Sequence, residues 1–268
     1  MLVLDSSLDI EEAVIQEYDQ DYCFELEAAY GKGMMSEGGH EAIDRLLEGV
    51  SLVGKKGLDI GAGLGGVAYH VASKGARVTG LEINPWMVKY ANLKTPQTLR
   101  NKLSFVLKEK GRPLPFESEF FDFVYSKGVL THVLDKPEMF SEIHRVSKTG
   151  ASFVINDWLS SEDGKWGPLL TKLTELEGLS LFAHSETSYV KMLEEAGFTQ
   201  IQVRDEQAFY SRYNREIIER LSEPSVKASF IHRFGESKWQ SAITGYECIA
   251  SAIEKAELRV MHILCQKK

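Results

Sequence analysis

Gly57-Leu58-Asp59-Ile60-Gly61-Ala62-Gly63-Leu64-Gly65-Gly66 is the stretch that decides the fold. Leu58 and Ile60 flank Asp59 in a short apolar run, glycines interrupt it, and Val67-Ala68-Tyr69-His70-Val71-Ala72 resumes in helix-compatible form. The pattern predicts a strand, a tight turn and a helix. Gly61, Gly63 and Gly66 keep the G-x-G-x-x-G spacing, in which missing side chains let the backbone turn sharply and approach a ligand beside a helix N-terminus. A glycine-rich turn by itself is more often only a turn. Its surroundings add weight: Glu82 ends the strand-like run Arg77-Val78-Thr79-Gly80-Leu81, 21 residues after Gly61. An acid at about 20 positions is the expected partner for ribose hydroxyls. A nucleoside-type cofactor site is predicted at this turn.

Upstream, residues 9–30 are compatible with one helix, with Asp9 as its N-cap. Nine carboxylates and no Lys or Arg lie between Met1 and Tyr30. A solvated helix face is the plain interpretation; an acidic mouth that draws in cations is the sharper one. Gly31-Lys32-Gly33 breaks the helix, Met34 to Gly39 forms a link, and Ile43, Leu46 and Leu47 share one face of a second helix. Residues 1–50 are expected to form an N-terminal helical lid on a single domain spanning 1–268.

Downstream, strand and helix alternate. Asn84-Pro85 is an N-cap and first-turn pair for a helix over Trp86 to Asn92. Leu103 to Val106 and Phe121 to Tyr125 read as the third and fourth strands, and Ala151 to Ile155 as the fifth. Between the last two, Phe140, Ile143 and Val146 follow Pro137 at helical spacing, with closure at Lys148 to Gly150. This alternation predicts an α/β fold: a doubly wound, mostly parallel sheet. Ligands bind outside the carboxyl ends of such strands, where the glycine turn, Glu82, Ser126 and Asp157 gather. Residues 159–188, with turns at Asp163-Gly164 and Trp166-Gly167-Pro168, are expected to be a cap insertion. Thr187 caps a helix through Ala196, and Ile201 to Val203 is a sixth strand. Trp239, Ala242, Ile243, Tyr246, Ile249, Ala250 and Ile253 make an amphipathic stripe of the kind that packs a core. Leu258 to Cys265 is the final strand.

The 268 residues suffice for one elaborated domain. A hydrophobic fraction of 43% with 26% charged residues is ordinary for a globular chain. The net charge of −8 and pI of about 5.5 leave no overall basic footprint for nucleic acid. The N-terminus lacks the basic start and apolar stretch of a signal peptide, and no apolar run approaches the roughly 20 residues of a membrane span. Cys23, Cys248 and Cys265 show neither metal-ligand spacing nor a disulfide framework. No metal, no membrane and a cytoplasmic setting are expected.

Leu58 to Gly65 resembles motif I of the class I S-adenosylmethionine (SAM)-dependent methyltransferases. Phe121-Asp122-Phe123-Val124-Tyr125-Ser126, with Val129-Leu130-Thr131-His132, resembles the fourth strand of that family and the segment after it. The likeness covers residues 50–160 and implies a seven-stranded, Rossmann-like sheet whose last strand is inserted antiparallel. It implies SAM as cofactor, S-adenosylhomocysteine as product, and cofactor contacts from Asp59, Gly61, Gly63, Glu82, Ile83, Ser126, Ser36 and, near the adenine, Glu109. Tyr125-Ser126-Lys127-Gly128 does not resemble the Asn-Pro-Pro-Tyr motif that holds a nucleobase amino group, which disfavours nucleic-acid acceptors.

Glu17-Tyr18, Met35-Ser36-Glu37-Gly38-Gly39 and Ser126 to His132 are similar to the phosphoethanolamine N-methyltransferases and related small-amine enzymes. In that family a tyrosine and a histidine latch the site and handle the amine proton, which implies catalytic roles for Tyr18 and His132. Trp158, after Asp157 on the fifth strand, corresponds to an aromatic on the acceptor side; both are expected to bind substrate. The basic residues with which the family holds the substrate phosphate are not matched: Trp239 to Thr244 contains none. The expected function is methyl transfer to a small molecule, an amine nitrogen foremost. An NAD-type oxidoreductase on the same glycine turn and a non-catalytic SAM-binding module are the alternatives. Asp59 stands against the first, because dehydrogenases usually carry an apolar residue there.

Overall fold

The computed structural model describes residues 6–268. The strands are β1 (Lys56–Ile60), β2 (Arg77–Glu82), β3 (Leu103–Leu107), β4 (Phe121–Lys127), β5 (Ser147–Leu159), β6 (Phe198–Asp205) and β7 (Arg259–Lys267). They form one seven-stranded sheet in the order β3-β2-β1-β4-β5-β7-β6. β1 to β5 run parallel, while β7 pairs antiparallel with both β5 and β6. The order reverses between β1 and β4, and the crevice at their carboxyl ends is where such sheets bind ligands.

Both faces are covered, so the central strands are buried nearly throughout and mostly apolar rather than alternating. Leu58, Ile60, Phe153 and Ile155 pack beneath one face with Phe140, Ile143 and Tyr189. These come from α6 (Lys136–Val146) and α8 (Glu186–Glu195). Val78, Phe123, Tyr125 and Val154 turn to the other face. There they meet α3 (Gly39–Leu46), α4 (Gly66–Ser73), α9 (Gln207–Ser222) and α11 (Glu236–Glu254). The expected stripe packs there through Tyr246, Ile249 and Ile253.

Several boundaries differ from the sequence expectation. The helix expected over 9–30 is two: α1 (Ser6–Glu17) and α2 (Gln20–Tyr30). Asp9 lies inside α1, and Asp19 caps α2 by accepting the Tyr22 N–H at 2.8 Å. Asp5, one of the nine N-terminal carboxylates, lies outside the described residues. Asn84 caps α5 (Pro85–Lys94) as expected, accepting from Trp86 N at 3.2 Å. β5 starts directly after α6 and runs on to Leu159, because Asp157, Trp158 and Leu159 pair with Met261, Val260 and Arg259. The helix assigned to a Thr187 cap starts at Glu186, capped by Ser185. Residues 159–188 contain α7 (Pro168–Glu177), and α9 and α10 (Pro224–Phe234) are helices the sequence left unassigned.

Candidate active site

The glycine turn is tied to its neighbour strand: Gly61 and Ala62 both donate to Leu81 O, at 2.8 and 2.9 Å. Gly61 has φ +74° and Gly63 +53°, where a side chain is strained. A Cβ would also lie 2.4 Å from Val129 at Gly61 and 2.8 Å from Met35 Sδ at Gly63. The bare backbone there opens into a cleft of about 110 Å³. Gly61, Gly63, Glu82, Ile83, Ser36, Tyr18 and His132 all line it. A nucleoside cofactor approaching the turn fits this cradle.

Glu82 does more than face the cleft. Oε2 accepts from Gly63 N at 2.8 Å, and Oε1 from Ile83 N and Asn84 N at 2.9 and 3.0 Å. The carboxylate therefore stitches the turn to the end of β2 while keeping lone-pair capacity toward the cleft. Burial raises its pKa, opposed by those three N–H donors.

Other residues expected at the site, three for the cofactor and Asp157 for the substrate, stand back from the cleft. Asp59 is 1% exposed with its Oδ2 unpartnered among the described residues, and burial pushes its carboxyl up to about 8. Ser126 is buried and donates to Ile60 O at 3.3 Å. Glu109 is exposed beyond β3 and does not line the cleft. Asp157 lies within β5, buried, where Oδ1 accepts from Thr131 N at 3.1 Å and Oδ2 from Tyr189 Oη at 2.9 Å. It supports the short turn Leu130–His132 from below and does not line the cavity that Trp158 lines.

That cavity, of about 60 Å³, adjoins the cleft. Tyr18, Met35, Ser36, Gly128 and His132 form the wall common to both. The far sides of the cavity come from α2, the strand end at Trp158, the segment 177–181 and α11.

Two of the wall residues are bonded. Tyr18 Oη lies 3.0 Å from His132 Nε2, with the rings edge to face. His132 Nδ1 lies 3.0 Å from Ser180 O, and a carbonyl only accepts, so Nδ1 carries the proton and Tyr18 donates to Nε2. Ser180 in turn donates through N (3.0 Å) and Oγ (2.5 Å) to Glu17 at the end of α1. The break between α1 and α2 thus aims Tyr18 at the wall, and Ser180 ties histidine and helix together. Burial lowers His132 to about 4, with Lys136 acting in the same direction and the Ser180 bond against it. The imidazole is neutral at physiological pH.

The folded state therefore binds fewer protons at His132 than the unfolded chain between about pH 4 and 6.5. Stability linked to the neutral pair is complete above 6.5 and is lost as pH falls toward 4. The melting temperature of the wild type should fall more steeply than that of His132→Asn between about pH 7 and 4.5. Parallel curves would mean that His132 does not titrate in this window.

Four groups in this region have no assigned role from sequence. Glu37 is 4% exposed, its Oε1 has no partner among the described residues, and burial raises its pKa against the pull of Lys127. Lys127, pushed down to about 8 by burial, donates to Ser36 Oγ at 2.9 Å and to Glu37 O at 2.5 Å. Glu177 accepts from Tyr22 Oη at 2.6 Å. Glu37 and Lys127 stand inside quoted motifs and could have been read there; Glu177 and Tyr22 carry no local signal.

No group of His, Cys, Asp and Glu among the described residues is arranged to hold a metal. No described helix is long and apolar enough to cross a membrane.

Residues 58–155 match the family described as "Methyltransferase domain". Phosphoethanolamine N-methyltransferase 1 of Arabidopsis thaliana is 26% identical over 234 residues, 86% of this chain and 46% of that protein. The chain spans about half the length of the curated relatives of this kind. 24-Methylenesterol C-methyltransferase 3 of the same plant is 36% identical over 110 residues, 41% of this chain and 31% of that protein. Among solved structures, Haemonchus contortus phosphoethanolamine N-methyltransferase 2, in complex with phosphomonomethylethanolamine and S-adenosylhomocysteine, shares the fold. Its TM-score is 0.84 at 22% identity, covering 96% of this chain and 60% of that one. Residues 58–155 thus match a methyltransferase domain, in a chain that is similar over 86% of its length to a phosphoethanolamine N-methyltransferase and shares the fold of another.

Proposed function

We propose that the protein methylates a nitrogen of a small amine, with SAM in the cleft and the acceptor in the adjoining cavity. The observation that carries this reading is the Tyr18–His132 hydrogen bond of 3.0 Å in the wall between the two spaces. The similarity to phosphoethanolamine N-methyltransferases extends over 86% of the chain, whereas the sterol C-methyltransferase match covers 41%.

SAM supplies a methyl group already activated on sulfur, so the protein's contribution is placement, exclusion of water and proton transfer. Gly61 and Gly63 give the methionine part close backbone approach, Glu82 accepts from the ribose hydroxyls, and Ile83 and Ser36 complete the cleft. Val14 and Ile15 of α1 line the cleft too, and Glu17 bonds Ser180, which supports a lid formed by residues 6–50 and the 159–188 cap over both spaces. An ammonium has no lone pair to donate. Its proton passes to Tyr18 Oη as Tyr18 gives its own to His132 Nε2, and Nδ1–H remains on Ser180 O.

The test is a panel of acceptors incubated with SAM, read by release of S-adenosylhomocysteine. Turnover with small primary to tertiary amines is expected. Turnover confined to sterols, phenols, protein or RNA would contradict the proposal.

A further inference from the structure

The acceptor cavity carries a second inference, which rests on the amine reading above. Its wall presents Tyr18, Tyr22, Tyr30, Trp158 and Tyr246. The Tyr18 and Tyr22 rings are 5.5 Å apart and tilted, and those of Tyr30 and Tyr246 are 5.6 Å apart, edge to face. Aromatic surfaces of this kind attract cations, most strongly when water is excluded.

Two carboxylates belong to the same wall. Glu177 is held by the Tyr22 hydroxyl. Glu37 is buried with Oε1 unpartnered among the described residues, and a buried acceptor in that state is costly unless a ligand supplies a donor. No lysine or arginine is among the described residues that line the cavity. The cations nearby are engaged: Lys127 by Ser36 and the Glu37 carbonyl, and Lys238 by Glu25 at 3.1 Å.

We infer that the acceptor is a cationic amine without a phosphate group, its ammonium bonded to Glu37 inside an aromatic box that Glu177 closes. A phosphate monoester brings about −1.5 to −2 of charge at pH 7. Enclosed here, it would meet two carboxylates and no free cationic donor, an arrangement that repels. An ammonium finds both the missing donor role at Oε1 and the aromatic faces, as a charge-assisted bond and cation–π contact. Capture as the cation makes a proton exit necessary before each transfer, which Tyr18 and His132 provide. The product, a more substituted cation, suits the same box. The acceptor would then differ by its phosphate from the ligand in the Haemonchus contortus structure.

The probes are dimethylethanolamine, which is protonated at pH 7 and keeps one N–H, and its phosphate monoester, titrated calorimetrically into protein saturated with S-adenosylhomocysteine. Dimethylethanolamine should bind at least about tenfold more tightly than its phosphate monoester. Glu37→Gln should weaken dimethylethanolamine by about tenfold or more and narrow the ratio, with Glu177→Gln changing it in the same direction. The monoester binding as tightly as the free amine, binding of neither, or free-amine affinity unchanged in both variants would overturn the inference. Turnover of phosphorylated amines in preference to free ones would overturn it too, while leaving amine methylation standing. Turnover of non-amine acceptors alone would remove both.

Discussion

His132→Ala is expected to lower turnover by more than tenfold, within the range of about 10²–10⁴ that positioned proton-transfer groups supply, while SAM still binds. The imidazole is neutral because burial holds it near 4, its Nδ1–H is fixed by Ser180 O, and its Nε2 faces the Tyr18 hydroxyl. Truncation removes the proton's destination and leaves the hydroxyl without its acceptor. Tyr18→Phe keeps the ring against His132 and removes only the hydroxyl, so it should be impaired in the same direction. A base near 4 is weak against an ammonium, so proton transfer to it is uphill. The loss should therefore shrink as pH rises and more of the acceptor arrives unprotonated. A pH-independent deficit in both variants would assign the pair to closure of the site alone, and full activity in both would remove it from the mechanism.

The second large effect is on the cofactor. Glu82→Ala should weaken SAM binding by about 1.5–3 kcal/mol, the scale of a hydrogen bond to a charged group. The same change strips the acceptor from Gly63 N, Ile83 N and Asn84 N, so the melting temperature should fall as well. Glu82→Gln is not a mild substitute. An amide nitrogen at either position would point N–H against N–H, at Gly63 or at Ile83 and Asn84. Calorimetry with unchanged SAM affinity in Glu82→Ala would take the carboxylate out of the cofactor site and leave it as a brace of the turn.

The central part of the fold was legible because its signals are local. The glycine spacing, the Asn84-Pro85 start and the apolar strands all lie within a few residues of the feature they specify. Misreadings arose where a distant partner decides. β5 continues past Ile155 through Asn156 and Asp157 because β7 pairs with it, about a hundred residues later. Asp157 thereby becomes a buried brace for the Leu130–His132 turn, although its place near a strand end suggests the pocket. α9 shows no clear signal because Asn214 interrupts its apolar stripe; the amide nitrogen donates to Tyr210 O at 2.8 Å, while Oδ1 has no partner among the described residues. The break at Tyr18-Asp19 did have a local signal, an aspartate three residues before Tyr22, inside a segment otherwise uniform in helix propensity.

The candidate site divides in the same way. Gly61, Gly63 and Glu82 could be read from spacing alone. Tyr18 and His132, 114 residues apart, could be paired only through the family resemblance, since nothing in either segment refers to the other. Glu177 sits on α7 among exposed polar residues and becomes a pocket group only because α11 and α2 pack around it. Its meaning is tertiary.

Methyl transfer to nitrogen is tested most directly by where the methyl goes. The protein would be incubated with SAM carrying a deuterated methyl group and with dimethylethanolamine, and the product fragmented in a mass spectrometer. The expected result is a trideuteromethyl group on nitrogen, formed one for one with S-adenosylhomocysteine and strongly reduced in His132→Ala. Label on oxygen or carbon, or S-adenosylhomocysteine released with no labelled amine, would contradict it.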